Sequence, residues 1–138
     1  MRHHSCVNEA SGVLTEARQL AVRAAALNIA VFLVDARGRL EYYNAAAEAI
    51  LGQPFDEVGQ ADLDEQGARW DPRNAEGERI PLEHLPGMDA VRKRRPVHRF
   101  LNTSGADGAH QRFEASAFPL MDDQGELMGA VGFFWATS

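Results

Sequence analysis

Cys6 is the only thiol in the chain, so neither a disulfide nor a cysteine metal knuckle can form within it. His84, His98 and His110 stand on separate segments without metal-ligand spacing, and there is no phosphate-cradling loop and no nucleophile elbow. Asp35, Asp71, Asp107, Asp122 and Asp123 fall in stretches that read as turns, where an aspartate ordinarily accepts backbone N–H groups. Catalysis needs acids, bases or nucleophiles that converge, and these do not. The residues that remain are suited to binding. Phe32, Tyr43, Leu51, Met88, Val91 and Phe113 are large, whereas Ala115, Ala117, Ala130 and Gly132 are small and lie on predicted strands. Between a sheet and its covering helices, small residues leave room that large ones line, so a small, mainly apolar ligand site is expected there. The other reading is that neighbouring Phe and Met side chains fill the space.

Charge narrows the partners. Twenty acidic residues against 14 basic give a formal charge of −6, which repels a polyanion, so no nucleic-acid partner is expected. The one basic cluster, Arg92-Lys93-Arg94-Arg95 with His98 and Arg99, falls where a helix should end. It reads first as cations complementing the negative end of a helix dipole, and second as an anion or partner site. The longest apolar stretch, Ala24 to Val34, is interrupted by Asn28 and is about half the length that crosses a bilayer. The start, Met1-Arg-His-His, lacks a signal-peptide core. A cytoplasmic protein away from the membrane is expected.

The elements that must position these residues follow from periodicity. A chain of 138 residues is the size of one domain. Val13, Ala17, Leu20, Ala24 and Leu27 recur in steps of four and three, predicting a helix over 13–28 behind a flexible 1–12. The same steps match a short a/d seam, so this helix either pairs with its copy, giving a homodimer, or covers its own sheet. Ala30 to Val34, a turn at Asp35-Ala-Arg-Gly38, and Arg39 to Tyr43 read as a hairpin. Asn44 caps a short helix, Ala45 to Leu51, that Gly52 ends. Residues 53–81 read as turns with short helical pieces anchored by Trp70, and a longer helix is predicted from Pro81 or Leu82 to Arg94. Three strands follow, about Val97–Thr103, Gln111–Leu120 and Glu126–Trp135, with turns at Gly108 and Gly125. The unbroken apolar character of the first and last strands places them centrally in the sheet.

Val34-Asp35-Ala-Arg-Gly38, Tyr43-Asn44-Ala-Ala-Ala-Glu48 and Leu51-Gly52 resemble the opening of a PAS domain. Gly77, Pro81, Pro86, Ala90-Val91, Asp107-Gly108, Pro119-Leu120, Gly125 and Gly129-Ala-Val131 are similar to the rest of that pattern. The resemblance covers about Ala30 to Trp135, with the domain assigned to 29–136. It implies an α+β fold, a five-stranded antiparallel sheet with helices over one face and an N-terminal amphipathic helix. It also implies a sensory module of the kind found in histidine kinases, cyclases and transcription regulators, acting on a small ligand or a partner rather than as an enzyme. The family's frequent closing Asp-Ile-Thr is Ala136-Thr137-Ser138 here. No output domain is therefore expected in this chain.

Family members with known cofactors provide further expectations. Flavin–thiol photochemistry needs a cysteine beside the flavin, and Cys6 lies outside the resemblance, so flavin is not expected. Tyr43-Asn44-Ala-Ala-Ala47 is similar to photoactive yellow proteins, but Ala47 replaces the chromophore-holding glutamate. Tyr43 and Ala47 then join the expected pocket. Haem-binding members use a histidine on or near the long helix, which makes His84 the candidate ligand; as a lone histidine it does not carry an expectation of haem. The enzymatic alternative is an Asp–Tyr pair inside a small α+β cone of ketosteroid isomerase type.

Overall fold

The computed structural model describes residues 5–51, 61–62, 72–81, 84–104 and 110–137. The features expected at Gly52, Trp70 and Gly108 lie outside these residues. The five expected strands are β1 (Ala30–Asp35), β2 (Arg39–Tyr43), β4 (Val97–Ser104), β5 (His110–Met121) and β6 (Leu127–Thr137). They form one antiparallel sheet. A two-residue β3 (Ala61–Asp62) adds to its edge beside Arg39 and Leu40. The order β3-β2-β1-β6-β5-β4 makes β1 and β6 central, as their unbroken apolar runs predict. Ala30 and Val34 of β1 join one apolar cluster, and Val31 and Leu33 join another on the opposite face.

Turns of one chemistry set the hairpin registers. Asp35 Oδ1 accepts the N–H groups of Arg37 and Arg39, each at 2.9 Å, while Gly38 donates to the Asp35 carbonyl. Gly38 has φ 83°, a left-handed conformation that favours glycine, and the Met88 thioether packs where a Cβ would stand. Asp122 and Gly125 repeat the arrangement between β5 and β6, and Asn74 and Gly77 repeat it within 72–81.

Helix α1 (Ser5–Ala24) begins ahead of the expected Val13 and runs into a 3-10 turn at Ala25–Leu27. Ala17, Ala21 and Ala24 share a stripe whose small side chains let the helix approach Val31, Leu33 and Val131 of its own sheet. Helices α2 (Ala45–Leu51) and α3 (Pro86–Lys93) cover the other face. The expected start of α3 at Pro81 or Leu82 is corrected to Pro86. Its fixed φ and missing N–H suit the first helical position and would break a helix interior. Arg94 ends α3 in the left-handed region, at φ 56°. Leu33 and Leu40, both fully buried, contribute roughly 2 kcal/mol each to holding the layers together.

Candidate functional site

Strand alternation carries one set of side chains to the face beneath α2 and α3. Phe32 of β1 stands opposite Tyr43 of β2 and Gly132 of β6, and Ala115 of β5 stands opposite Phe134 of β6. Four aromatic rings join in series across the sheet. Tyr43 meets Phe32 edge-on at 6.1 Å, Phe32 stacks on Phe134 at 4.8 Å and 22°, and Phe134 meets Phe113 edge-on at 5.8 Å. Such offset and edge contacts add stability beyond the area they bury. Of the expected pocket residues, Tyr43, Ala47, Phe113 and Ala115 are buried in one cluster. Phe32, Met88 and Val91 pack half-buried against it, and the Leu51 side chain lies outside the described residues.

Phe134 was not among the expected residues, although its parity with Gly132 in the last strand places it on this face. The Phe32–Phe134 stack takes part of the room expected beside the small residues, and space for a methyl group remains at Gly132. A Cβ on Gly132 would touch the Cβ atoms of Ala117 and Phe32 at ordinary contact distance, 3.9 and 4.0 Å.

Asn44 locks the floor of this site. Its Oδ1 accepts the Ala47 N–H at 3.0 Å, the expected cap of α2, and also the Val31 N–H at 3.1 Å. Its Nδ2 donates to the carbonyls of Ala21 at 2.7 Å and Ile29 at 2.8 Å. One fully buried amide thus joins α1, β1 and α2 through backbone groups alone.

Asp89 of α3, also fully buried, is ringed by cations that the sequence did not assign to it. Arg92 bonds its Oδ1 and Arg99 of β4 bonds its Oδ2, with Lys93 at 3.9 Å and His84 Nδ1 at 3.6 Å. Burial pushes the Asp89 carboxyl up, but the Arg92 and Arg99 hydrogen bonds, with the charges of Arg99 and Lys93, hold it below the usual carboxylate range. The local Asp89–Arg92 spacing was legible; the Arg99 contact needs the packing of α3 on β4. His84, the candidate haem ligand, has its Nδ1 3.2 Å from Arg92, a contact in which the guanidinium donates and the ring nitrogen accepts. His98 bonds Glu114 at 2.7 Å. Among the described residues no three His, Cys, Asp or Glu side chains group as a metal site.

The expected seam on α1 divides. Ala17 and Ala24 turn into their own sheet and Val13 is half-buried, whereas Leu20 and Leu27 are 54% and 73% exposed. Across β2, Arg18 of α1 covers the Tyr42 ring at 4.5 Å. Glu41 beside it is raised above the ordinary glutamate value, by burial first and then by Asp35, with Arg18 and Arg39 opposing.

The family model described as PAS fold matches residues 24–138. The chain belongs to the PAS family. Solved structures agree with the fold. The PAS domain of a Colwellia psychrerythraea protein superposes with TM-score 0.63 at 16% identity, covering 87% of this chain and 95% of that one. The PAS domain of BvgS from Bordetella pertussis gives 0.60 at 16%, covering 88% and 84%. The light-state dimer of the fungal blue-light photoreceptor Vivid gives 0.59 at 15%, covering 78% and 77%. A search of curated proteins finds no match. The PAS assignment replaces the cone-fold alternative. Among the described residues, no helix of this PAS domain is long and apolar enough to cross a membrane.

Proposed function

We propose that this PAS domain is a sensory module that takes a small, mainly apolar ligand between its sheet and α2 and α3, and that pairs with a second copy through α1. It transmits occupancy rather than catalysing a reaction. The ligand reading rests on one observation, the aromatic series Tyr43–Phe32–Phe134–Phe113 with half-buried Met88 and Val91 beside it. These are side chains suited to an apolar ligand, set above a backbone that Asn44 holds rigid. A flavin–thiol adduct is not part of the proposal, because the only thiol, Cys6, precedes the matched residues. With that lone cysteine a reducing, cytoplasmic setting suits the module, and the signalling roles proposed are those of two-component and transcriptional regulators.

Native mass spectrometry of the purified chain tests the ligand reading. A retained small-molecule mass is expected, reduced in Ala47→Leu, which fills the floor. A second reading, a ligand-free pairing module, is favoured by the Phe32–Phe134 stack beside Gly132. It prevails if the bare polypeptide mass is all that appears.

Pairing rests on the exposure of Leu20 and Leu27, next to a stripe already committed to the sheet. The Vivid structure is that of a dimer. Sedimentation of Leu20→Asp should give monomer with an unchanged circular dichroism spectrum; a dimer that persists would sink this assignment.

A further inference from the structure

Strand β4 ends the sheet, and among the described residues its outer edge is bridged only at Asn102. Arg73 and Asn102 exchange both backbone hydrogen bonds there, at 2.7 and 2.8 Å. Antiparallel alternation then turns the peptide groups of Phe100 and His98 outward as well, two and four residues back along the strand. Among the described residues neither has a backbone partner across that edge. Phe100 is an exposed aromatic on it.

The chain leading into this edge is basic. Arg92, Lys93, Arg94, Arg95 and Arg99 are five of the 14 Lys and Arg residues, gathered on a molecule of net charge −6. Their one described carboxylate partner is Asp89, which engages Arg92, Lys93 and Arg99. Arg94 and Arg95 are exposed and take part in no ion pair among the described residues. Arg94 also occupies a left-handed helix end, φ 56°, where glycine would be less strained. The Asp89 bridge from α3 to Arg99 fixes this basic turn against the start of β4.

We propose that the open edge of β4 at His98 and Phe100, with the cations of residues 92–95, docks an extended acidic segment of a partner protein that adds to the sheet as a further strand. Main-chain hydrogen bonds supply such pairing, and charge selects the partner. A second copy is repelled, since it would bring the same basic turn to the same edge. A nucleic acid satisfies the cations but carries no backbone N–H to donate to the outward carbonyls. The rest of this acidic molecule repels an acidic segment, so the attraction is confined to one corner.

Fluorescence anisotropy with a labelled alternating Thr-Glu decapeptide tests this on the whole chain. Saturable binding is expected, weakened about tenfold when Arg94→Glu and Arg95→Glu are combined. Both side chains are exposed and without ion-pair partners among the described residues, so the fold should persist, with only a small drop in thermal stability from the lost complement to the α3 dipole. Phe100→Pro removes an outward N–H at an edge position where proline is tolerated, and should weaken binding with the fold intact. Methylating alternate amides of the peptide should abolish it. No saturable binding, equal binding of the methylated peptide, or tighter binding of a decauridylate in the same buffer overturns the proposal.

Discussion

Asn44 and Asp89 are the two fully buried polar side chains of the described core, and they hold their elements together by opposite means. Asn44 is neutral, and every bond its side chain makes ends on a backbone group, of α1, β1 and α2 and of Ile29 just ahead of β1. Asp89 is charged and bonds long side chains, Arg92 and Arg99, whose own surfaces stay 49% and 36% exposed. The first arrangement is fixed by main-chain geometry, so it does not respond to salt or to ordinary pH. The second depends on one ionised carboxyl and on cations that water can also solvate, so it responds to both. The rigid anchor sits beneath the proposed ligand site and the adjustable one sits at the basic corner.

The contrast breaks first at Asn44. Asn44→Leu removes the side-chain partner of the Val31 and Ala47 N–H groups and of the Ala21 and Ile29 carbonyls, and should cost about 4 kcal/mol by urea unfolding. Asn44→Asp sharpens it. A carboxylate oxygen facing two carbonyls raises the folded-state pKa at that position. The variant should then be most stable in acid and lose stability as pH rises from about 4 toward that raised value.

Asp89 should show the reverse slope. Its carboxyl is held below the usual range, so its contribution is present above about pH 4 and is lost as pH falls through the depressed value. Asp89→Asn should cost about 1–3 kcal/mol at neutral pH and flatten the acid limb of the stability curve. Arg99→Met, which cuts the tie between α3 and β4, should cost about 1 kcal/mol and leave the Asn44 region unchanged by hydrogen exchange. The smallest effect is that of salt. About 0.5 M sodium chloride should lower wild-type stability by a few tenths of a kcal/mol and leave Asp89→Asn unaffected. An equal response of both proteins would remove the distinction drawn here.

What the sequence disclosed follows the range of the contacts. The Asn44 cap was legible because Ala47 is three residues away, and the Asp35 and Asp122 turns were legible for the same reason. Unbroken runs placed β1 and β6 centrally because two-sided burial leaves no polar positions. The second half of Asn44's role, at Ala21, spans 23 residues and leaves no local trace. The bond from Arg99 to Asp89 was hidden likewise, since it depends on where α3 lies. On α1 the steps of three and four fit both a pairing seam and a sheet-covering stripe. Only the packing of Ala17, Ala21 and Ala24 shows which side faces inward.

The amide at Asn44 grips α1 near its C-terminal end, at the Ala21 carbonyl. From there back to Ser5 the helix extends about 24 Å, at 1.5 Å per residue. A tilt of roughly 5° about that grip swings the far tip by roughly 2 Å. The floor of the aromatic layer and the base of a long lever are therefore one and the same joint.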